Sequence, residues 1–274
     1  MLLTDKHTAA VAKVYGACFL VLACWYIFHG ISFSLLQPVF FAAQPDMTGH
    51  VIFSTGLQQM LISQRWLQVV FDAVVLLINP LLAFCFIRKM RFTFLLAWGT
   101  IVFNIVYFYL LSSMSFVSRE PFIAWMFMPF LFTARSLPAF YFKFHVLRIL
   151  FILFFATAGL WKMRGGGAFH TEQFSGILAH QYAAVLASGA KGWFVSLTRF
   201  LVNNPVTAFV LYWIVTLAEL FFMAGLFTRR LDRWLLLMLV VFICFDYFLM
   251  EINYFSWLPF ATLFYYSRAG LEKF

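Results

Sequence analysis

Six ionisable residues stand inside runs of apolar residues: His29, Asp72, Lys162, Glu219, Asp246 and Glu251, with Asn104 as a neutral companion. Charge in an apolar setting is costly, so such residues are the first place to look for chemistry. Lys162 closes one run, in Ala158-Gly159-Leu160-Trp161-Lys162-Met163. One reading is a lysine that snorkels to the interface beside Arg164. The other is a partly desolvated amine at the mouth of an apolar pocket, able to act as a general base. Glu219 sits mid-run in Leu217-Ala218-Glu219-Leu220, too far from any loop to be solvated by one. It must be paired, protonated or turned to a polar cavity. Asp246 lies deep in the next run, and Glu251 nearer its end. Five residues separate them, about 140° around a helix, so they do not form a carboxylate pair on one face. The bland alternative for each acid is a single hydrogen bond between helices.

Other chemistries find less support. His170, Glu172 and His180 follow no tight metal-ligand spacing, and no fourth ligand is evident, so no metal site is expected. The four cysteines, Cys18, Cys24, Cys85 and Cys244, all lie within apolar runs and include no CxxC pair. They read as small buried residues. No phosphate-binding loop, dinucleotide fingerprint or nucleophile elbow is present.

The elements that must position these residues are set by the solvent. Of 274 residues, 64% are hydrophobic and 11% charged, and mean hydropathy is +0.92. Soluble domains carry roughly 25% charge. The chain therefore reads as an all-α, polytopic transmembrane bundle of seven or eight spans, a multi-pass protein of a cell membrane, with a bacterial inner membrane as the expected setting. The apolar runs cover 9–36, 66–87, 92–112, 121–133, 146–162, 206–227, 234–253 and 255–267. The fourth and last are shorter than the roughly 20 residues a span needs. The first run is too long for the apolar region of a signal peptide, and no cleavable leader is expected. With the N-terminus in the cytoplasm, 13 of the 19 lysines and arginines fall on the cytoplasmic side, led by Arg88-Lys89-Met90-Arg91 and Arg229-Arg230-Leu231-Asp232-Arg233. That bias favours this orientation and an even number of spans. It also accounts for the net charge of +9 without nucleic acid as a partner. One membrane domain over 1–274 is expected, with a non-cytoplasmic amphipathic segment at 165–205. That segment follows the hinge Gly165-Gly166-Gly167 and reads as one or two interfacial helices, in the manner of a lid or binding element.

Val146-Leu147-Arg148, the apolar run after it, and Ala158-Gly159-Leu160-Trp161-Lys162-Met163 resemble the horizontally transferred transmembrane (HTTM) domain, the membrane domain shared with vitamin K-dependent gamma-carboxylases. In that family a Val-Leu-Arg-type start leads to an apolar helix ending in Ala-Gly-x-x-Lys-Leu, whose lysine is the proposed base. Lys162 falls on it. Glu219 occupies the region of an acidic residue in the family's next long helix. Asp246 stands where the family has a histidine, thirteen residues before a Phe-Pro-type step matched here at Pro259. Ser118-Arg119 is the nearest equivalent of an upstream Asn-His pair and lacks the histidine. The resemblance covers 137–165 and 210–267, and is vaguer over the first 120 residues. It implies Lys162, Glu219 and Asp246 as catalytic residues. Around them Arg148, Trp161, His170 and His180 are the candidates for contacting substrate. The implied substrate is quinol-like or otherwise lipid-soluble, with a quinone or quinol as cofactor. Both family histidines and the large luminal substrate domain are missing, so gamma-carboxylation itself is not expected. The competing expectation is a non-catalytic membrane factor for maturation, assembly or export of a partner peptide. A carrier ranks below both, since internal repeats and paired broken helices are not evident.

Overall fold

In lipid, a helix satisfies every backbone N–H and C=O within its own segment, and long apolar runs fold accordingly. A computed structural model describes residues 5–37, 41, 46–115 and 117–270. Every regular element among them is helical. α1 is Lys6–Phe28, α2 Met47–Ser54, α3 Leu57–Ser63, α4 Arg65–Ile87 and α5 Thr93–Met114. α6 (Ile123–Phe127) lies between two 3-10 turns, and α7 runs unbroken over Leu137–Arg164. α8 (Gln173–Gln181), α9 (Ala183–Ala187) and α10 (Trp193–Asn203) follow. α11 (Pro205–Phe221), α12 (Ala224–Phe227), α13 (Asp232–Met250) and α14 (Ala261–Tyr265) complete the order.

Among the described residues, six helices are long and apolar enough to cross a membrane: α1, α4, α5, α7, α11 continued through α12, and α13. The chain is an all-α polytopic bundle, with six such helices against the seven or eight expected. Two of the expected runs are broken. Residues 121–133 form a 3-10 turn, α6 and a second 3-10 turn, with Pro121 and Pro129 at the starts of those turns. Residues 255–267 form a 3-10 turn containing Pro259 and then α14. Proline removes a backbone donor and clashes with the preceding turn, which divides both runs. The run expected at 146–162 instead begins at Leu137. Its 28 residues make α7, about 42 Å long at 1.5 Å per residue.

The chain groups into two compact units, Met1–Leu147 with Tyr254–Phe274, and Arg148–Asn253. In the first, Asp5 and Thr8 cap α1 reciprocally. α1 packs closely on α4 at Gly16, where a Cβ would meet that of Ala83 at 3.0 Å. Buried polar side chains tie this unit together. Tyr15 Oη donates to Asn79 Oδ1 at 2.5 Å, Asn79 and Asn104 exchange amide hydrogen bonds, and Asn104 Nδ2 also donates to the Trp125 carbonyl at 2.7 Å. Asp72 accepts from the Phe33 and Ser34 amides, the Ser34 hydroxyl and the Tyr107 hydroxyl, at 2.6–3.1 Å. Asp72 and Asn104 are thus hydrogen-bonded between elements. His29 stacks on Trp25 and sets Nδ1 against its carbonyl. Asp46 caps α2 and meets Arg119 at 2.8 Å.

In the second unit, Phe174, Leu178, Tyr182 and Leu201 of the 165–205 segment form a core with Ala208 of α11 and Leu249 of α13. That segment holds three helices, α8 to α10. Tyr182 Oη donates to the Leu249 carbonyl at 2.9 Å, and Gln181 Nε2 donates to the Met250 carbonyl, so α8 is tied to the end of α13. Burial, reinforced by the negative charge of Glu251, pushes the Tyr182 phenol up to about 12. The four cysteines are free, but only Cys85 is buried, and Cys24 is exposed on its helix. An apolar cysteine does not need the core when a helix has a face open to lipid.

Candidate functional site

α11 has two faces. Val206, Val210, Ile214, Leu217 and Phe221 recur every three or four residues and are exposed. Ala208, Thr216 and Glu219 are buried. The first row suits lipid. The second carries small residues where another helix approaches. Gly159 of α7 meets that row: a Cβ there would lie 3.0 Å from Leu220 Cγ, 3.1 Å from the Thr216 carbonyl oxygen and 3.2 Å from Glu219 Cβ. Glycine lets the two helices close to this distance. Lys162 lies three residues further, one turn along the same side of α7.

The approach delivers Lys162 Nζ to Glu219 Oε1 at 2.6 Å. The Glu219 side chain is 2% exposed and that of Lys162 26%. Glu219 is therefore held inside the unit, whereas Lys162 is partly open. The ammonium also lies 5.4 Å from the ring centre of Tyr212, one turn before Thr216. Glu219 Oε2 is buried and has no hydrogen-bond partner among the described residues. Asp246, half-buried on α13, lies within electrostatic reach of both Lys162 and Glu219. One cation and two acids from three helices therefore converge.

The other expected residues are placed differently. Trp161 is 63% exposed and carries the Arg164 guanidinium 4.9 Å from its ring centre. His170 and His180 are exposed and line one open cleft of about 750 Å3, with Glu172, Gln173 and Gln181. The cleft and the Tyr212 ring share a neighbour: a Cβ on Gly167 would meet Gln173 at 3.4 Å and the Tyr212 hydroxyl at 3.5 Å. Among the described residues no three His, Cys, Asp or Glu side chains are placed to hold a metal ion. Glu251 ends α13 in the left-handed region at φ 52°.

Arg148 stands apart from Lys162, 14 residues back along α7 and so about 21 Å away. Its Nε donates to Asp232 Oδ2 at 3.1 Å, and its Nη2 donates to Asp232 Oδ1 and to the Gly225 carbonyl. Both charged side chains are buried. Gly225 lets Leu235 and Ile152 close around the pair, since a Cβ there would lie 2.6 Å from Leu235 and 2.9 Å from Ile152. The second half of α7 is thus fastened by an ion pair at either end. Asp232 and Tyr212 are the participants that sequence reasoning missed. Tyr212, Thr216 and Glu219 are spaced i, i+4, i+7, which places them on one face of a helix.

Comparison with protein-family models, with curated proteins and with solved structures finds no match.

Proposed function

We propose that this chain is a membrane enzyme of the HTTM kind, in which Lys162 removes a proton from a hydroxyl of a quinol-like, lipid-soluble substrate. The observation that supports it most is the Lys162–Glu219 contact of 2.6 Å at the end of an apolar helix, with Asp246 near both. An ammonium must give up a proton before it can act as a base, and Glu219 is positioned to take it. Transfer from Nζ to Oε1 leaves a neutral amine and a neutral acid. The amine then takes the substrate's hydroxyl proton, leaving an oxyanion beside a renewed ammonium. Glu219 holds the extra proton, and charge is conserved. Asp246 favours the ammonium through its charge. Mixing a short-chain naphthohydroquinone with the protein in nanodiscs tests the reading. Bound substrate should show the absorption of its mono-anion, and Lys162→Ala should bind it without that change. A wild-type spectrum identical to that of the free neutral hydroquinone would refute the proposal.

A second reading rests on the cleft that His170 and His180 line, whose open wall of mixed polar and apolar surface suits an extended peptide. In a non-catalytic factor for maturation, assembly or export of a partner peptide, the lysine pair would serve only charge and packing. Lys162→Arg would then keep full function, and the partner would co-purify.

A further inference from the structure

The first unit contains a small cavity lined by Tyr26, Ser32, Asp72, Tyr107 and Trp125 among apolar rings. The centre of a water-sized sphere can sweep about 20 Å3 inside it. One water needs roughly 10–15 Å3 by that measure, so the cavity admits one oxygen-sized group. Ser32 and Trp125 are 2% and 1% exposed. Neither Ser32 Oγ nor Trp125 Nε1 has a hydrogen-bond partner among the described residues. The Tyr26 hydroxyl, beside Ser256, completes the polar rim.

These groups restrict the occupant. An indole N–H only donates, so the occupant must accept. That excludes an ammonium or metal cation opposite Trp125. Asp72 imposes no demand for a cation, because its two oxygens already accept four hydrogen bonds. An anion beside that carboxylate would be repelled. A neutral hydroxyl meets every condition: it accepts from Trp125 and exchanges a hydrogen bond with Ser32. We propose that the first unit carries a binding site for one neutral hydroxyl group, of water or of an alcohol, held between Trp125 Nε1 and Ser32 Oγ.

Nuclear magnetic resonance of the full chain in phosphatidylcholine nanodiscs tests this. Nitrogen-15 labelling of tryptophan gives one indole signal for each of the nine tryptophans, and the signal missing from Trp125→Phe is that of Trp125. The expected result is a cross-relaxation peak from the Trp125 indole proton to the water resonance. Its replacement by a peak to the ethanol methylene as ethanol is added identifies the alcohol as an occupant of the same site. In Ser32→Ala, which removes one holding group with little change of volume, the peak should be lost. Absence of any peak to water or ethanol in the native chain would overturn the proposal. So would a Ser32→Ala spectrum with the peak at full intensity.

Discussion

The Lys162–Glu219 pair makes an asymmetric prediction. Lys162→Met leaves a carboxylate whose side chain is 2% exposed. Stranding a buried charge in this way costs about 3–5 kcal/mol. Glu219→Gln leaves an ammonium that is already 26% exposed and whose four-carbon stem can swing toward the interface. That change loses one charged hydrogen bond while solvent screens what remains, or about 1–2 kcal/mol. The lysine variant should therefore be the less stable by about 2 kcal/mol, although each substitution deletes the same contact. The double variant, with two neutral side chains, should regain most of the loss, since it strands no charge. Reversible unfolding in bicelles, titrated with dodecyl sulfate, reads all four corners of the cycle. If Glu219→Gln proves the costlier single change, the glutamate is not the captive partner, and the assignment of Glu219 as the buried end of the site fails.

Three further outcomes follow from the same geometry. Gly159→Ala should separate α7 from α11 and cost about 1–3 kcal/mol, and the coupling measured between Lys162 and Glu219 should shrink in that background. Arg148→Met should leave Asp232 only the nearby charge of Arg229 and cost up to about 3–5 kcal/mol, with much of it recovered by adding Asp232→Leu, both read by the same unfolding titration. Asp46 lies outside the membrane-crossing helices, and the Gly49 amide, Arg119 and Tyr109 hold its carboxyl down at about 2. Its contribution is then fully present above the unfolded value near 3.9 and is lost as pH falls through about 2. The stability gap between wild type and Asp46→Asn should stay constant from pH 7 to 4 and narrow below that.

The membrane class and most of the long helices were legible in the apolar runs, because lipid demands length and uniformity from any segment that crosses it. The start of α7 was not. Lys143 and Arg148 look like loop charges, yet each has a local solution inside a helix. Lys143 lies over the Phe130 ring and donates to Thr133, and Arg148 is absorbed by Asp232. The breaks at 121–133 and 255–267 were signalled by Pro121, Pro129 and Pro259, but proline also starts and kinks genuine spans, so the residue type alone does not decide. Lys162 and Glu219 could each be singled out for lying in apolar surroundings. Their contact could not, since it joins residues 57 apart through the fit of Gly159 on α11. Asn79, unremarked in the sequence beside the charged residues, closes its network only once Tyr15 and Asn104 are brought to it.

Asp72 bears on how the chain is made. A mid-helix aspartate disfavours release of its segment into lipid by roughly 2.5–3.5 kcal/mol, and α4 also carries Asn79. The groups that satisfy Asp72 lie on the turn after α1 and on Tyr107 of α5. Asn79 likewise takes Tyr15 from α1 and Asn104 from α5. α4 is therefore synthesised before two of these five hydrogen-bond partners, Asn104 and Tyr107, exist. Asp72 and Asn79 thus favour α4 staying close to α1 until α5 emerges, and the first three long helices settling in the bilayer as a set.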